Sequence, residues 1–446
     1  MNRRDFIKTG SGAFAIAAAG RAFGQGAASN RVRLALVGCR EGGRGAAVVR
    51  RAMGVPGVEI AYVCDVDSRA MDFAAEMIKK QSGFEPKKEK DLRKVLADKE
   101  IDGIISETPD HWHAWSAVMA MRAGKAVYVE KPCAFCPQEC HTILETWRKT
   151  GMVFQMGSQR RSAKTFRDMA VAVRSGELIG EPVWGKAWYM TSRKSIGNGK
   201  RVEVPAWLDW DLWQGPAPRK DYLDNIVHYN WHWFRNWGTG ECGNNAVHFV
   251  DIARWCLGVE WPNRVTSSGG KLWMPKGDDW AWPDIQNVAW DFPGGKTITW
   301  EGTCCVNQKP YMGVSTGAMI YGRNGAAFFG PSCAVEVYDV KGNVVKKIDQ
   351  AGNTVLTNTD DRSGGGWKDT TGEHLANFVD CIRAKTPGNA RSSADIGVKS
   401  TFLALTANVS QTLGQSIEID PTNGKLLTKE AANLWSREYE KGWELI

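Results

Sequence analysis

The chain has 446 residues, 43% hydrophobic and 24% charged, which excludes a disordered or collagen-like chain and is too long for one ordinary core. No apolar run reaches the roughly 18 residues that a spanning helix needs, so no membrane-embedded role is expected. Of the formal net charge of +8, residues 1–29 hold +3 (Arg3, Arg4, Lys8 and Arg21 against Asp5), and the remaining +5 forms no basic block, which argues against a nucleic-acid partner.

The first element is an N-terminal leader. Asn2-Arg3-Arg4-Asp5-Phe6-Ile7-Lys8 precedes a weakly apolar Ala/Gly stretch over residues 10–20. A twin arginine ahead of a modest apolar segment is the pattern of the twin-arginine export route. Residues 1–29 are therefore expected to be a signal peptide, cut between Ala22 and Ala28, and the protein to be periplasmic. Two domains are expected after it, over 30–157 and 158–446. The 11 cysteines all lie beyond the leader, and a protein folded in the reducing cytoplasm before export is not built on disulfides.

Val32–Val37 is an apolar run ending at Gly38. A glycine-rich turn follows, with Arg40 where the usual loop has its second glycine. Residues 46–53 read as a helix, and Val58–Cys64 as a strand closed by Asp65. Glycines let a backbone approach a pyrophosphate seated on the helix N-terminus. Gly38, Arg40, Gly43, Arg44 and Gly45 are thus candidate dinucleotide contacts. Asp65, 20 residues beyond Gly45, is placed to bind a ribose 2′-hydroxyl. Its charge repels a 2′-phosphate, so NAD is expected rather than NADP.

No element is assigned between Asp65 and residue 91. Then come a helix over 91–99, a strand over 101–106, a turn at 108–113 and a helix over 113–123. A strand over 125–129 ends at Glu130-Lys131-Pro132, followed by a helix over 137–149 and a strand over 152–156. This alternation implies a parallel, doubly wound sheet that binds ligands at the carboxyl ends of its strands. Cys133, Cys136, Cys140 and His141 have a spacing that a metal can use. Pro137 at the helix start and the lack of a second cysteine pair nearby favour buried packing, and no metal is expected.

From about Ser158 the pattern changes. A helix over 166–175 and a strand over 182–189 precede a tryptophan-rich region. A helix over 243–257 follows. Strands are then predicted over 264–273, 286–292, 297–302, 318–321, 334–338 and Val344–Ile348. A short flexible loop is read at 363–366, and helices over 374–384 and 394–412 end the chain. This is an α+β domain with a large, mostly antiparallel sheet, one face of which is open. The 21 tryptophans offer flat apolar faces that suit sugar rings as well as cores.

The chain resembles the glucose–fructose oxidoreductase/inositol dehydrogenase (Gfo/Idh/MocA) family over essentially all of its length after the leader. The resemblance rests on Thr108-Pro109-x-x-x-His113, on Glu130-Lys131-Pro132 and on Gln159-Arg160. It also rests on Trp210-Asp211-Leu212-Trp213-Gln214-Gly215-Pro216-Ala217-Pro218, and on Gly238-Thr239-Gly240 running to His248-Phe249-Val250-Asp251. It implies that Thr108, Pro109, His113, Glu130, Lys131 and Gln159 bind the cofactor, with the first motif packed against the nicotinamide ribose, Lys131 beside the nicotinamide and substrate, and His248 as the catalytic histidine. Many relatives have aspartate four residues before that histidine, whereas this chain has Asn244, which cannot act as a base.

Oxidising a sugar alcohol removes a hydride from carbon and a proton from oxygen, and the proton needs a base. His248 is assigned that acid/base role, with Lys131 polarising and relaying. Asn244, His248 and Asp251 share one face of a helix. Asn244, Asp251, Tyr229, His232, Trp233, Arg235 and Arg160 are candidate substrate contacts. The expected activity is an oxidoreductase passing hydride between tightly bound NAD and a saccharide. The alternatives are an NAD-dependent glycosidase or lyase that oxidises C3 transiently, and a non-catalytic sugar-binding protein. The open sheet suggests a homo-oligomer.

Overall fold

The computed structural model describes residues 31–349, 351–352 and 369–445. The leader and the loop at 363–366 lie outside the described residues. The first sheet is built from β1 (Val32–Val37), β2 (Val58–Cys64), β3 (Lys87–Glu89), β4 (Gly103–Ser106), β5 (Ala126–Val129) and β6 (Phe154–Met156). The strands run parallel in the order β3-β2-β1-β4-β5-β6. β4 and β5 are buried at every position, as strands covered on both faces must be. Strand order reverses between β1 and β4, where such sheets bind ligands. Val37 lies opposite both Cys64 and Ser106. Gly38, Asp65 and Glu107 therefore emerge at one edge.

The helices are α1 (Arg44–Met53), α2 (Ser68–Ser82), α3 (Leu92–Ala97), α4 (Asp110–Arg122) and α5 (Pro137–Thr150). α2 lies between Asp65 and residue 91, where the sequence pattern predicts no element. Its buried face is mostly alanine (Ala70, Ala74, Ala75, with Ile78), so the apolar period is weak in the sequence. Asp67 caps it by accepting from Arg69 N–H, and Gly83 ends it in the left-handed conformation.

The second half holds α6 (Lys164–Arg174), β7 (Pro182–Met190), α7 (Trp210–Gln214) and α8 (Val247–Leu257). The remaining strands are β8 (Arg264–Gly270), β9 (Ile285–Phe292), β10 (Lys296–Thr303), β11 (Thr316–Gly322), β12 (Gly325–Phe329), β13 (Val335–Tyr338), β14 (Val344–Ile348) and, after the helices α9 (Thr371–Ala384) and α10 (Ala394–Leu413), β15 (Ile417–Glu418). They form a nine-stranded sheet in the order β14-β13-β12-β11-β7-β10-β9-β8-β15. Among the described strands of this sheet, only β10 and β7 pair in parallel. β12 was not anticipated, because only Arg323-Asn324 separates it from β11. α8 packs on β7, β10 and β11. α9 returns to the first sheet, where Leu375, Phe378 and Val379 pack with Leu34 and Leu36.

Among the described residues no helix is long and apolar enough to cross a membrane. Cys133, Cys136 and Cys140 are buried free thiols; burial pushes the first two up to about 12. His141 stacks on Trp261 at 5.5 Å.

Candidate active site

A cavity of about 480 Å³ opens at the switch point of the first sheet. Its floor is the turn between β1 and α1. Gly38 has φ +88°, and a Cβ there would lie 2.6 Å from the Glu107 carbonyl oxygen. A Cβ on Gly45 would lie 2.1 Å from the Gly38 carbonyl oxygen. Only a bare backbone fits, which leaves room for a ligand against the chain. No side chain caps α1, so its first N–H groups remain open to an anion. Arg40, Gly43 and Arg44 line the same floor. Asp65 accepts from Cys39 N–H at 2.6 Å and Asp67 N–H at 3.0 Å. Each carboxylate oxygen keeps a second acceptor site for a ribose hydroxyl. Burial raises its pKa, against those two amide bonds. The bare glycine turn, the uncapped helix and this acid fit a dinucleotide.

The end of the cleft expected to take the nicotinamide is held by contacts between strand ends. His113 places its two ring nitrogens 2.7 Å from the carbonyl oxygens of Pro132 and Thr108, tying the β4 edge to the β5 edge. Pro109 begins α4. Arg44 bridges Glu130 Oε1 at 3.2 Å and Thr371 Oγ1 at 2.9 Å. Burial alone would raise the Glu130 carboxyl, but Arg44 and Lys131 hold it below its ordinary value. Gln159 also lines the cavity.

Lys131 Nζ donates to the Asn244 carbonyl oxygen at 2.8 Å and to Asn244 Oδ1 at 3.1 Å. Asn244 lies in a π-helical turn, Cys242–Ala246, that leads into α8. Such wide turns recur at functional sites. Asn244 thus orients Lys131 as well as lining the cleft. His248 lines the cavity one turn further on. Burial, then the charges of Lys131, Arg160 and Arg44, hold its imidazole well below its ordinary pKa, so it is a neutral acceptor near neutral pH. Tyr229 and His232 line the same cavity. His232 stacks on Trp231 at 3.6 Å, and its Nδ1 lies 2.6 Å from the Tyr229 carbonyl oxygen. Burial lowers it to about 3.

Four expected substrate contacts are not in the cavity. Asp251 accepts two bonds from Arg161, at 2.7 and 2.9 Å, and one from Ser400 at 2.5 Å. It is the counter-ion of a buried pair with Arg161 and does not line the cleft. Arg160 donates to the Pro331 carbonyl oxygen at 3.1 Å and lies over Phe249. Trp233 is fully buried and stacks on Trp280 at 3.6 Å. Arg235 lies over Trp282 and donates to Thr412 Oγ1. Of the tryptophans, Trp112, Trp213 and Trp231 reach the cavity. His228 Nε2 lies 2.8 Å from Asp67 Oδ2, joining the tryptophan-rich segment to the start of α2. The sequence reading missed Glu107 and Lys90 as lining residues; Glu107 sits directly before Thr108, a position that strand-end reasoning could have included.

Residues 32–158 match the model of an oxidoreductase family with an NAD-binding Rossmann fold, and residues 182–326 match the C-terminal alpha/beta domain of the same family. The chain belongs to the Gfo/Idh/MocA family. Its cofactor is NAD, as in that family's first domain. Among curated relatives, a glycosyl hydrolase family 109 protein from Saccharopolyspora erythraea is 30% identical over 44% of this chain and 45% of its own. An α-N-acetylgalactosaminidase from Shewanella oneidensis is 32% identical over 36% of this chain and 35% of its own. The chain thus spans less than half the length of these relatives. A levoglucosan dehydrogenase solved with NADH and levoglucosan shares the fold at TM-score 0.62 and 18% identity, covering 87% of this chain and 99% of its own. An oxidoreductase from Agrobacterium radiobacter, solved with NAD+, L-tartaric acid and magnesium, does so at TM-score 0.62 and 17% identity, covering 87% and 98%.

Proposed function

We propose that this family member oxidises a hydroxyl group of a saccharide with NAD held in the cleft. The observation that carries this reading is Lys131, pinned on Asn244 in the cleft that His248 also lines. Bound NAD supplies the hydride acceptor. Lys131 donates a hydrogen bond to the sugar oxygen as negative charge develops there. His248, neutral and buried, takes the hydroxyl proton. Tyr229, His232 and Trp231 border the sugar, with the indole face covering its C–H side.

A second reading has a specific support, the names of the curated relatives. Oxidation at C3 by NAD acidifies the C2 proton; loss of that proton and of the C1 substituent leaves a C1–C2 double bond, water adds across it, and the hydride returns from NADH to C3. One assay on a nitrophenyl glycoside separates the two. NADH that accumulates in step with sugar oxidation supports net dehydrogenation. Nitrophenol release at constant NADH supports the glycosidase route. Neither signal, with sugar affinity unchanged in Lys131→Ala, would leave a sugar-binding protein.

The leader supports export of the folded, cofactor-loaded protein to the periplasm, tested by fractionating cells that express the Arg3→Lys/Arg4→Lys variant. The nine-stranded sheet leaves Trp184 exposed and stacked on Tyr321 at 4.5 Å, which supports self-association through that face, tested by light scattering of Trp184→Glu.

A further inference from the structure

Glu107 closes β4, and its backbone N–H donates to the Val37 carbonyl oxygen at 2.7 Å. It lies against the glycine turn, since a Cβ on Gly45 would come within 3.3 Å of Glu107 Cβ. The residue lines the cleft, yet both of its carboxyl oxygens are shielded from water and accept no hydrogen bond. The charged and titratable groups around it are Arg44 on α1, with Tyr128, Glu130 and Lys131 on β5 and its end. Neither cation is committed to it. Arg44 is held by Glu130 and Thr371, and Lys131 by Asn244.

An ionised carboxylate left without a partner at such a site is costly, and a second carboxylate beside it raises the cost. Burial first, then the charge of Glu130, push Glu107 well above the ordinary carboxylate range. The formal charges make the same point. Arg44 and Lys131 against Glu130 leave one positive charge around Glu107. An ionised Glu107 cancels it, and a neutral Glu107 preserves it.

We propose that Glu107 is a proton-bearing positioning residue of the dinucleotide site, whose neutral form admits the cofactor's pyrophosphate. When the carboxylate is ionised in the free protein, binding takes up one proton from solvent onto Glu107. No bond in NAD changes. The inference rests on the dinucleotide site and is independent of the sugar chemistry, because its test uses NAD+ without substrate.

The test is the affinity of the nucleotide-stripped full chain for NAD+ between pH 6 and 9, read by tryptophan fluorescence. The wild-type protein should weaken by up to about tenfold per pH unit on the alkaline side, as linkage of one proton requires. Glu107→Gln, a permanent mimic of the neutral acid, should bind at every pH as the wild type binds at pH 6, while Glu107→Ala should be weaker. Adenosine, which has no phosphate, should show no slope in either protein. Should the variants fold poorly, calorimetry of the wild type in two buffers of different ionisation enthalpy reads the proton uptake directly. A flat wild-type profile, an equal slope in Glu107→Gln, or no proton uptake at pH 9 would overturn the proposal.

Discussion

Replacing Asp251 by alanine tests whether this residue belongs to the site or to the scaffold. Its carboxylate is almost wholly buried, and it accepts from Arg161 Nε and Nη2 and from Ser400. Burial alone would raise its pKa, but Arg161 and then Arg254 hold it below the ordinary value, so it is charged in the fold. Removing one partner of such a pair strands the other charge, at a cost of about 3–5 kcal/mol. An unfolding entropy of about 2.1 cal/mol/K per residue over roughly 400 residues converts this to a fall in Tm of about 4–6 °C. The assays are calorimetric unfolding, and KM for the sugar per folded molecule. KM should be unchanged. The lowered folded pKa fixes the pH window. The contribution is fully present above the unfolded carboxylate value and is lost as pH falls through the folded one, so the gap should be constant from pH 5 to 8. A Tm shift below 1 °C together with a raised KM would show that Asp251 contacts substrate and that the reasoning is wrong.

Lys131→Met should lower kcat/KM for the sugar by about 10²–10⁴-fold while NAD still binds, measured by turnover and by nucleotide titration. Gly45→Ala should abolish NAD binding with the second sheet intact, because its Cβ meets the Gly38 carbonyl oxygen; undiminished affinity would contradict the close approach. Acid should destabilise the fold before most carboxylates titrate. Burial holds His111 at about 3, His374 at about 4 and His248 well below its ordinary value, so each stays neutral in the fold but is protonated below about pH 6.5 when unfolded. Stability is therefore full above that pH and should fall by up to about 1.4 kcal/mol per histidine per pH unit below it, read as urea midpoints from pH 7 to 4.5. Equal midpoints across that range would count against it.

Much of the first domain was legible because its signals are local. The apolar run of β1, the glycine turn and Asp65 closing β2 lie within a few dozen residues, and each obeys a rule of backbone sterics or strand burial. The positions of Lys131 and His248 followed from motifs whose ends the strands and helices set. α2 was lost because an alanine face buries area without marking a period.

The sequence by itself determined the two kinds of sheet, the cofactor edge and the residue types available for proton transfer, since these depend on short-range pattern and side-chain chemistry. Tertiary structure alone decided which polar residues work in the cleft. Arg161 claims Asp251 from 90 positions away, and Trp280 claims Trp233. Asn244 became the holder of Lys131 because a π turn meets the end of β5 across 113 positions of chain. A buried charge or ring is assigned by whatever packs against it, and for these residues that neighbour comes from a distant part of the chain.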